Sequence, residues 1–307
     1  MRIAVFDLGT NVFNLLIADI SKGACGIVDV IKMGSQIGKG GFKSGYLTQE
    51  AIDRSLETFS QMYSKISQYG SDIKIKAFAT SAVRDAKNGE DFAFRLRSLF
   101  PDVDLEIISG DREAELICKG IRESILLYGS EKVLMLDIGG GSNEFIIADS
   151  KEIFWKKSYP LGVIRMREIV EPHDPMTVED IEKYTSYIDT QLESLYSEVS
   201  KHNISLMIGS SGSFDTLKDL IFPNIDNSVS ATELPLQLFD KLNVELIKST
   251  RDQRLKMAGM VEMRADYMVL GSIFVSHVIE KLKIKQLYQS SYSLKEGYMS
   301  EFAQSLK

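Results

Sequence analysis

Apolar and polar positions follow strand-like patterns at the start of the chain and helical spacing after them. Arg2 to Phe6 is a run of β-branched and apolar residues that ends in a polar, glycine-containing turn, so it predicts a buried strand. Phe13 to Ile20 and Cys25 to Met33 follow as two more strands, which gives a meander. Thr48 to Gln68 then carries apolar residues at three- and four-residue steps, the spacing of an amphipathic helix.

A similar succession of strands returns in the second half of the chain. Lys132 to Leu136 is largely apolar and leads into Asp137, and Glu144 to Ala148 and Glu152 to Tyr159 follow as two further predicted strands. Two strands that each end in Asp-x-Gly and open a meander indicate an internal duplication. The duplication predicts two similar domains rather than one continuous sheet.

The remaining segments alternate between strand and helix. The predicted strands are Ile73 to Phe78, Val103 to Ile108, Ile204 to Ile208 and Ile284 to Leu287. The predicted helices are Asp91 to Leu99, Asp111 to Leu127, Val178 to Ser197, Asp215 to Leu220 and Ala265 to Leu282. This alternation is typical of an α/β fold.

The length of the chain also favours two domains. A single hydrophobic core usually stops growing at about 250 to 300 residues, and this chain has 307. We expect an N-terminal domain over 1–124 and a C-terminal domain over 125–293, with the change near Tyr128-Gly129-Ser130 and a cleft between the domains. A C-terminal helix over 294–307 is expected to pack back on the first domain.

Charge limits the classes of partner. The composition, 44% hydrophobic and 26% charged, is that of an ordinary globular protein. A formal net charge of −7 and a sequence pI of about 5.2 argue against non-specific binding of nucleic acid. A polyanionic ligand would therefore need a local group of basic side chains or a metal ion.

The two cysteines and the first residues bear on cellular location. Cys25 and Cys118 are far apart and belong to no CxxC or Cys/His cluster, which argues against a disulfide framework and a zinc site. An aspartate interrupts the first apolar run too early for a signal-peptide core or a membrane span. We therefore expect a cytoplasmic protein that does not enter a membrane.

The segment from Asp137 to Ser142 is the strongest local signal of chemistry. Gly139, Gly140 and Gly141 follow a predicted strand, and consecutive glycines let backbone amides converge on an anion without obstruction by Cβ atoms. With Ser142, this turn is predicted to bind phosphate. The alternative interpretation is a flexible, glycine-rich hairpin.

The turn after the first strand is weaker evidence by itself. It contains Gly9, Thr10 and Asn11, and turns with Asp-x-Gly are common. The match to the later turn adds weight, because Asp7 and Asp137 would then stand at corresponding strand ends. Two such carboxylates would hold Mg²⁺ through water molecules, and the ion would contact polyphosphate oxygens.

A third glycine- and serine-rich segment follows the strand predicted over Ile204 to Ile208. Amides and hydroxyls at the start of a helix bind phosphate readily. Serine capping of the helix is an equally good explanation of this segment. The candidate phosphate-binding residues here are Gly209, Ser210, Ser211, Gly212 and Ser213.

A fourth segment, Ser109 to Glu115, opens a predicted helix with three acidic residues. Capping of the helix and a favourable interaction with its dipole explain such a pattern without any chemistry. The alternative is that one of the carboxylates acts as a general base.

Together these motifs resemble the exopolyphosphatase and guanosine pentaphosphate phosphohydrolase family, within the actin-like superfamily of sugar kinases and heat-shock ATPases. The resemblance runs along nearly the whole chain. The matching segments are Asp7 to Asn11, Ala79 to Ala86, Ile108 to Ala114, Asp137 to Glu144, Pro160 to Gly162, Gly209 to Ser213 and Arg264 to Asp266. It implies two ribonuclease-H-like, actin-like domains with a cleft, Mg²⁺ in that cleft, and hydrolysis of a terminal phosphoanhydride of polyphosphate or guanosine pentaphosphate.

The resemblance also implies roles for three side chains outside the turns. Glu113 would be the base that activates water, and Glu144 would orient water or metal. Arg84 would neutralise phosphate charge, as phosphoryl transfer requires. Structural pairing of Arg84 with Asp85 or Asp111 is an equally good interpretation.

The sequence departs from the family pattern in several places. Val12 replaces a serine, Arg112 replaces the first glutamate of Ser-Gly-x-Glu-Glu-Ala, and Gly-Thr-Gly-Gly-Thr reads Gly-Ser-Ser-Gly-Ser, with Ser211 at a glycine position. The late pattern Ser-Asp-Arg-Gly-Leu-Arg-Glu-Gly reads Ser290-Ser291-Tyr292-Ser293-Leu294-Lys295-Glu296-Gly297. These changes are expected to alter a phosphate or base contact. The chain also stops where longer relatives continue into a helical domain, so an extended polyphosphate channel is not expected.

Three functions are compatible with the sequence. The first is a phosphohydrolase that acts on polyphosphate or guanosine pentaphosphate, and the second is an ATP-dependent kinase or ATPase of the same superfamily. The third is a weakly catalytic sensor of guanosine penta- or tetraphosphate. A homodimer is compatible with a cleft enzyme of this size, although no motif specifies one.

Overall fold

The structure, a computed structural model, describes residues 1–21, 24–127, 131–225 and 229–306. By packing, the chain divides into two compact units. Unit 1 is Met1–Gly120 with the C-terminal helix that begins at Leu294, and unit 2 is Ile121–Ser293. The domain change expected at Tyr128-Gly129-Ser130 lies outside the described residues, and the limits 1–124 and 125–293 stay a prediction.

Unit 1 contains a five-stranded sheet in the order β3-β2-β1-β4-β5. Its strands are β1 (Arg2–Leu8), β2 (Val12–Ser21), β3 (Ala24–Gly34), β4 (Ile73–Ala79) and β5 (Val103–Ile107). Its helices are α1 (Gln49–Ile66), α2 (Ser81–Asp85), α3 (Gly89–Leu99) and α4 (Gly110–Ser124), the last of which extends past Gly120 into unit 2. The first three strands are antiparallel, and β4 and β5 continue the sheet in parallel with β1.

Helix α1 shows how the sequence pattern produces this layer. Thr48 caps the helix, because its side-chain oxygen accepts a hydrogen bond from Ala51 N at 3.1 Å. The face at three- and four-residue steps is buried against the sheet, and the rings of Phe59 and Phe6 lie 4.4 Å apart. Full burial of a side chain of this size stabilises the fold by about 2 kcal/mol.

Unit 2 contains a six-stranded sheet in the order β10-β11-β9-β6-β7-β8. Its strands are β6 (Val133–Ile138), β7 (Asn143–Ala148), β8 (Ile153–Tyr159), β9 (Leu206–Ser210), β10 (Ala231–Glu233) and β11 (Gln286–Ser290). Its helices are α5 (Val163–Val170), α6 (Val178–Val199), α7 (Ser211–Ile221), α8 (Leu236–Lys248), α9 (Arg251–Arg254) and α10 (Met268–Leu282). The chain then returns to unit 1 with α11 (Leu294–Ser305), which packs against β1, β2 and β3.

The two sheets repeat one topology. In each, three antiparallel strands form a meander, and the first of them is followed in space by two parallel strands. Unit 2 adds β10 at its edge, antiparallel to β11. This is the ribonuclease-H-like arrangement of actin-like domains, so the predicted α/β fold with two such domains is confirmed.

Strand register places the candidate residues at sheet ends. In unit 1, β1 and β4 are parallel and Leu8 pairs with Ala79, so the turn at Gly9 lies beside Thr80. In unit 2, β6 and β9 are parallel and Asp137 pairs with Ser210. Because the carboxyl ends of parallel strands share one edge of a sheet, each unit collects its polar turns at one edge.

Several elements differ from those predicted. The helix expected over Asp111 to Leu127 ends at Ser124. Elements that the sequence patterns did not predict are α2, α5, α8, α9 and β10. In the described part of the chain, no helix has both the length and the apolar character needed to cross a membrane.

Candidate active site

Asp137 in unit 2 is the point on which three serine hydroxyls converge. Ser210 Oγ and Ser293 Oγ each donate to Asp137 Oδ2 at 2.7 Å, and Ser211 Oγ donates to the same atom at 2.5 Å. These distances are typical of charge-assisted hydrogen bonds to a carboxylate. The carboxylate is therefore held in one orientation in a residue that is only 5% exposed.

The glycine turn after β6 is tight, and the first residues of α5 hydrogen-bond to it. Gly139 N donates to Ser142 O at 3.0 Å, which closes the turn. The carbonyls of Gly139 and Gly140 accept hydrogen bonds from the first amides of α5, and Arg165 Nε donates to Gly141 O at 2.7 Å. The start of α5 is thus used to orient the turn, whose carbonyls face the helix.

Glu144 is fixed by two hydroxyls. Ser142 Oγ and Ser158 Oγ each donate to Glu144 Oε1 at 2.7 Å. The side chain belongs to β7 and is 1% exposed. A carboxylate held this firmly is suited to orienting a neighbour rather than to large movement.

The segment over Gly209 to Ser213 turns directly from β9 into α7. Ser210 occupies the N-cap position but makes no side-chain capping bond, because its hydroxyl goes to Asp137. The capping explanation is therefore wrong for this serine. Ser213 Oγ reaches Ile138 O at 3.5 Å, so this segment is tied to the strand that carries Asp137.

Arg264 is a site candidate to which the sequence reasoning gave no role. A Cβ at Gly212 would lie 1.7 Å from Arg264 Nη2, so the guanidinium packs directly on the start of α7. Burial lowers the pKa of Arg264, and Asp215, Tyr267 and Asp137 oppose that effect. The Arg264-Ala265-Asp266 motif was the available signal, but its nearness to Asp137 is a tertiary property.

The first turn of unit 1 contains a buried, unsatisfied amide. Asn11 is 4% exposed, and within the described part of the chain neither its Nδ2 nor its Oδ1 has a hydrogen-bond partner. Buried polar side chains are normally paired, so an orphaned amide is a candidate ligand-binding group. Thr10 is also buried, and its carbonyl accepts from Gly38 N at 3.1 Å. Gly9 makes the same close approach to Val12 O, 2.9 Å from a built Cβ, that Gly139 makes to Ser142 O.

Glu113 and Arg84 form an ion pair in unit 1. Arg84 Nη1 donates to Glu113 Oε2 at 2.6 Å and to Ile108 O at 3.3 Å, while Arg84 Nε lies 3.3 Å from Asp85 Oδ1. Glu113 is 8% exposed and lies in the first turn of α4, where Ser109 Oγ accepts from Arg112 N. The capping interpretation of this segment is therefore confirmed, and a role of one of its acids as general base stays a prediction.

The departures from the family pattern have local explanations. Arg112 turns away from Glu113 and pairs with Glu301 of α11 and with Glu115. Ser291 Oγ accepts from Gln289 Nε2 at 3.3 Å, and Tyr292 N donates to Ser290 Oγ. Lys295 is buried beside Glu296. Val12 begins β2 and pairs with Gly34.

The acids available suit a magnesium ion bound partly through water. The described residues contain no cluster of three or more His, Cys, Asp or Glu side chains that would form an all-protein metal site. Mg²⁺ is usually held by one or two carboxylates together with waters and substrate phosphates. Asp137 fits this mode, since its hydrogen bonds from the described residues go to Oδ2 and leave Oδ1 as a hard oxygen donor. Asp7, which accepts from Asn14 Nδ2 at 3.1 Å, offers the corresponding carboxylate in unit 1.

Comparison with known proteins identifies the family. The sequence profile of the Ppx/GppA phosphatase family matches residues 16–306. The chain belongs to this family. A crystal structure of an exopolyphosphatase from Cytophaga hutchinsonii is 35% identical, with a TM-score of 0.94 over 100% of this chain and 99% of that one. The Ppx/GppA family member from Aquifex aeolicus, 22% identical with a TM-score of 0.82 over 100% and 99% of the two chains, shares the fold.

A related sequence supports the same assignment. Exopolyphosphatase 2 of Mycobacterium tuberculosis is 29% identical over 311 residues, which is 96% of this chain and 97% of that protein. The resemblance inferred from the motifs is therefore confirmed. The Ppx/GppA assignment makes the chain a member of a phosphatase family, whereas the roles of individual residues rest on the geometry of each unit.

Proposed function

We propose that this protein is a phosphohydrolase that releases terminal orthophosphate from inorganic polyphosphate, guanosine pentaphosphate or both. The observation that carries the proposal is the buried carboxylate of Glu113, held by Arg84 at 2.6 Å at the start of α4. Removing two charges from water costs free energy that their attraction does not always recover, so a buried ion pair is weak evidence of a purely stabilising role. Buried charged groups are, in contrast, common in catalytic sites. The likeness to exopolyphosphatases over the whole chain supports this choice of substrate class.

Glu113 is proposed to orient the attacking water. An arginine contact and the positive end of a helix both stabilise the negative charge of a carboxylate. Glu113 is therefore suited to positioning the attacking water and accepting its proton. Phosphoryl transfer tolerates such a base, because its transition state depends mainly on alignment and charge neutralisation.

The negative charge of the phosphates is proposed to meet donors from both units. In unit 1 these are Arg84 and the orphaned amide of Asn11, with the backbone of Gly9 and Thr10. In unit 2 they are Arg264 and the turn over Gly139 to Ser142. Fixed donors of this kind stabilise developing charge without having to reorganise during the reaction.

Mg²⁺ is the proposed cofactor. Asp7 and Asp137 would hold the ion, and Glu144 would orient a water or a neighbouring ligand. When bound, the ion supplies positive charge to the phosphate oxygens. The proposal also requires that Asp7 and Glu113 of unit 1 act on the same substrate as Asp137 of unit 2, as expected for a cleft enzyme.

A substrate panel tests the proposal. Release of orthophosphate would be measured with polyphosphate, guanosine pentaphosphate and ATP, each with Mg²⁺ and with the metal removed by a chelator. We expect metal-dependent release from polyphosphate or guanosine pentaphosphate, with water as the acceptor. Release from ATP alone would favour an ATPase, and transfer to a small acceptor would favour a kinase. Binding of guanosine pentaphosphate without any release would identify a sensor.

A further inference from the structure

The three serines on Asp137 do not share one origin in the sequence. Ser210 is the last residue of β9 and Ser211 the first of α7, whereas Ser293 lies just before α11. All three hydroxyls nevertheless end on the same atom, Asp137 Oδ2, at 2.5 to 2.7 Å. A carboxylate oxygen offers about two lone-pair positions, so three donors more than fill them and leave no place on Oδ2 for another ligand.

The backbone of Ser211 indicates that its hydroxyl has a function beyond stability. Ser211 has a φ of 71°, in the left-handed region that residues with a Cβ occupy at an energetic cost. A glycine would remove this strain. A strained residue that persists in a site is a reason to look for a role there.

We infer that Ser211 and Ser293, together with Ser210, are positioning residues that hold Asp137 through Oδ2 and so present Oδ1 to Mg²⁺. The inference rests on the proposed function, because it gives Asp137 its metal. Side chains that hydrogen-bond a metal-binding carboxylate orient it, and their loss typically costs about 10- to 100-fold in metal affinity or activity. Here the hydroxyls come from two places in the chain, the junction of β9 with α7 and the residue before α11, and all three hold Asp137 Oδ2.

Ser293→Ala is the leading test, because it removes one hydroxyl without changing the backbone. The Mg²⁺ concentration that gives half-maximal phosphate release should rise about tenfold or more, while kcat at saturating Mg²⁺ changes little. A second measurement needs no substrate: the melting temperature of the protein is followed as Mg²⁺ is added. For Ser293→Ala, the Mg²⁺ concentration that gives half of the maximal rise in melting temperature should increase by the same factor.

Ser211→Gly separates positioning from folding. Glycine relieves the backbone strain at φ 71°, so the metal-free variant should melt at the same temperature as the wild type or higher. Its Mg²⁺ requirement should nevertheless rise as for Ser293→Ala. Ser272→Ala is the matched control, because Ser272 is a buried serine of unit 2 whose hydroxyl donates to Val269 O.

The outcomes distinguish this inference from the proposed function. If both serine variants respond to Mg²⁺ like the wild type while Asp137→Ala loses the response, the positioning role is wrong and the metal role of Asp137 stands. If Asp137→Ala keeps the wild-type response, the proposed metal role fails and the inference fails with it. A wild type that does not respond to Mg²⁺ overturns both.

Discussion

At the scale of single residues, Arg84 both compensates the charge of the buried Glu113 carboxylate and fixes its orientation. Buried carboxylates need a partner, and Arg84 supplies one at 2.6 Å while also reaching Ile108 O. The same arginine then keeps the acid in one orientation at the start of α4. Removing the arginine would leave an uncompensated buried charge, so the glutamate is the better position at which to test the chemistry.

Glu113→Gln keeps the size of the side chain and one hydrogen bond from Arg84. We expect kcat for phosphate release to fall by about 10²- to 10⁴-fold, the usual contribution of a general base, with little change in KM. Steady-state assays and circular dichroism on the same preparation would measure both activity and folding. Glu115→Gln, on the same helix and more exposed, is the control. A Glu113→Gln enzyme with wild-type kcat would show that another group handles the proton.

The residue types of the site were foreseeable, but their partners were not. Asp7, Glu113, Asp137 and the glycine turns stand at strand ends or helix starts, which local sequence patterns indicate. The contact of Ser293 with Asp137 joins positions far apart in the chain, and no local pattern specifies it. In the same way, the sequence suggested that the glycine turn offers amides, but it could not show that its carbonyls hold α5.

At the scale of elements, the contact between α5 and the glycine turn is unusually close. A Cβ built on Gly162 would lie 2.3 Å from both Gly140 C and Gly141 N. Such distances exclude any side chain at position 162 unless the backbone moves. The order of the turn therefore depends on glycine at the position that precedes α5.

Gly162→Ala tests this dependence. We expect the free energy of unfolding to fall by about 2 kcal/mol or more, since the added methyl must displace backbone atoms, and phosphate release to fall with it. Urea unfolding and steady-state assays would measure the two effects. Gly26→Ala in β3 is the control, because the nearest atom to its built Cβ is Asp19 O at 4.0 Å. Equal stability of Gly162→Ala and wild type would contradict the close packing.

Helix α11 is fastened to α4 by charge. Arg112 and Lys119 of α4 both contact Glu301 of α11, and the hydrogen bond from Arg112 is the main reason that the pKa of Glu301 falls to about 2 from its usual 4.5. A lowered folded-state pKa means that the unfolded chain binds more protons between these values. The stability from Glu301 is therefore complete above about pH 4.5 and is lost as the pH falls toward 2.

Glu301→Gln should lower the free energy of unfolding at pH 7 by about 1 kcal/mol, a value that allows for the partial exposure of the three side chains. The difference from the wild type should shrink as the pH is lowered below 4.5. Urea unfolding at pH 7, 5, 4 and 3.5 would follow it. Glu90→Gln, which removes an exposed carboxylate 3.5 Å from Arg97, should change stability by less than about 0.5 kcal/mol at every pH. A Glu301→Gln deficit that does not depend on pH would contradict the charge-based explanation.

Apart from α8, the elements that the sequence failed to predict are short. Strand β10 has three residues, and α5 has two turns and begins beside the glycine turn. Helix α8 follows Pro235 and buries Phe239, Leu242 and Leu246, which lie at helical spacing in the sequence. The long strands and α1 were predictable because each carries a full period of apolar residues on one face.

At the scale of the whole molecule, the repeated topology gives each unit a comparable polar turn. Asp7 in β1 of unit 1 and Asp137 in β6 of unit 2 are each the second-last residue of the strand, and each begins an Asp-x-Gly turn. A net charge of −7 opposes a polyanionic substrate at long range. The proposed function would meet this charge with local cations and donors from the turns of both units and with metal, which makes cooperation between the units a testable requirement of the proposal.

A double-mutant cycle tests that cooperation. Glu113→Gln alters unit 1 and Asp137→Asn alters unit 2, and each should slow phosphate release strongly by itself. If both groups act as one coupled unit in the reaction, their effects should be far from additive, so that the double variant is little slower than the slower single variant. Glu113→Gln combined with Ser272→Ala is the control and should behave additively. Independent, multiplying effects of Glu113→Gln and Asp137→Asn would mean that the two acids are not coupled in the reaction, and the cooperation between the units would then be wrong.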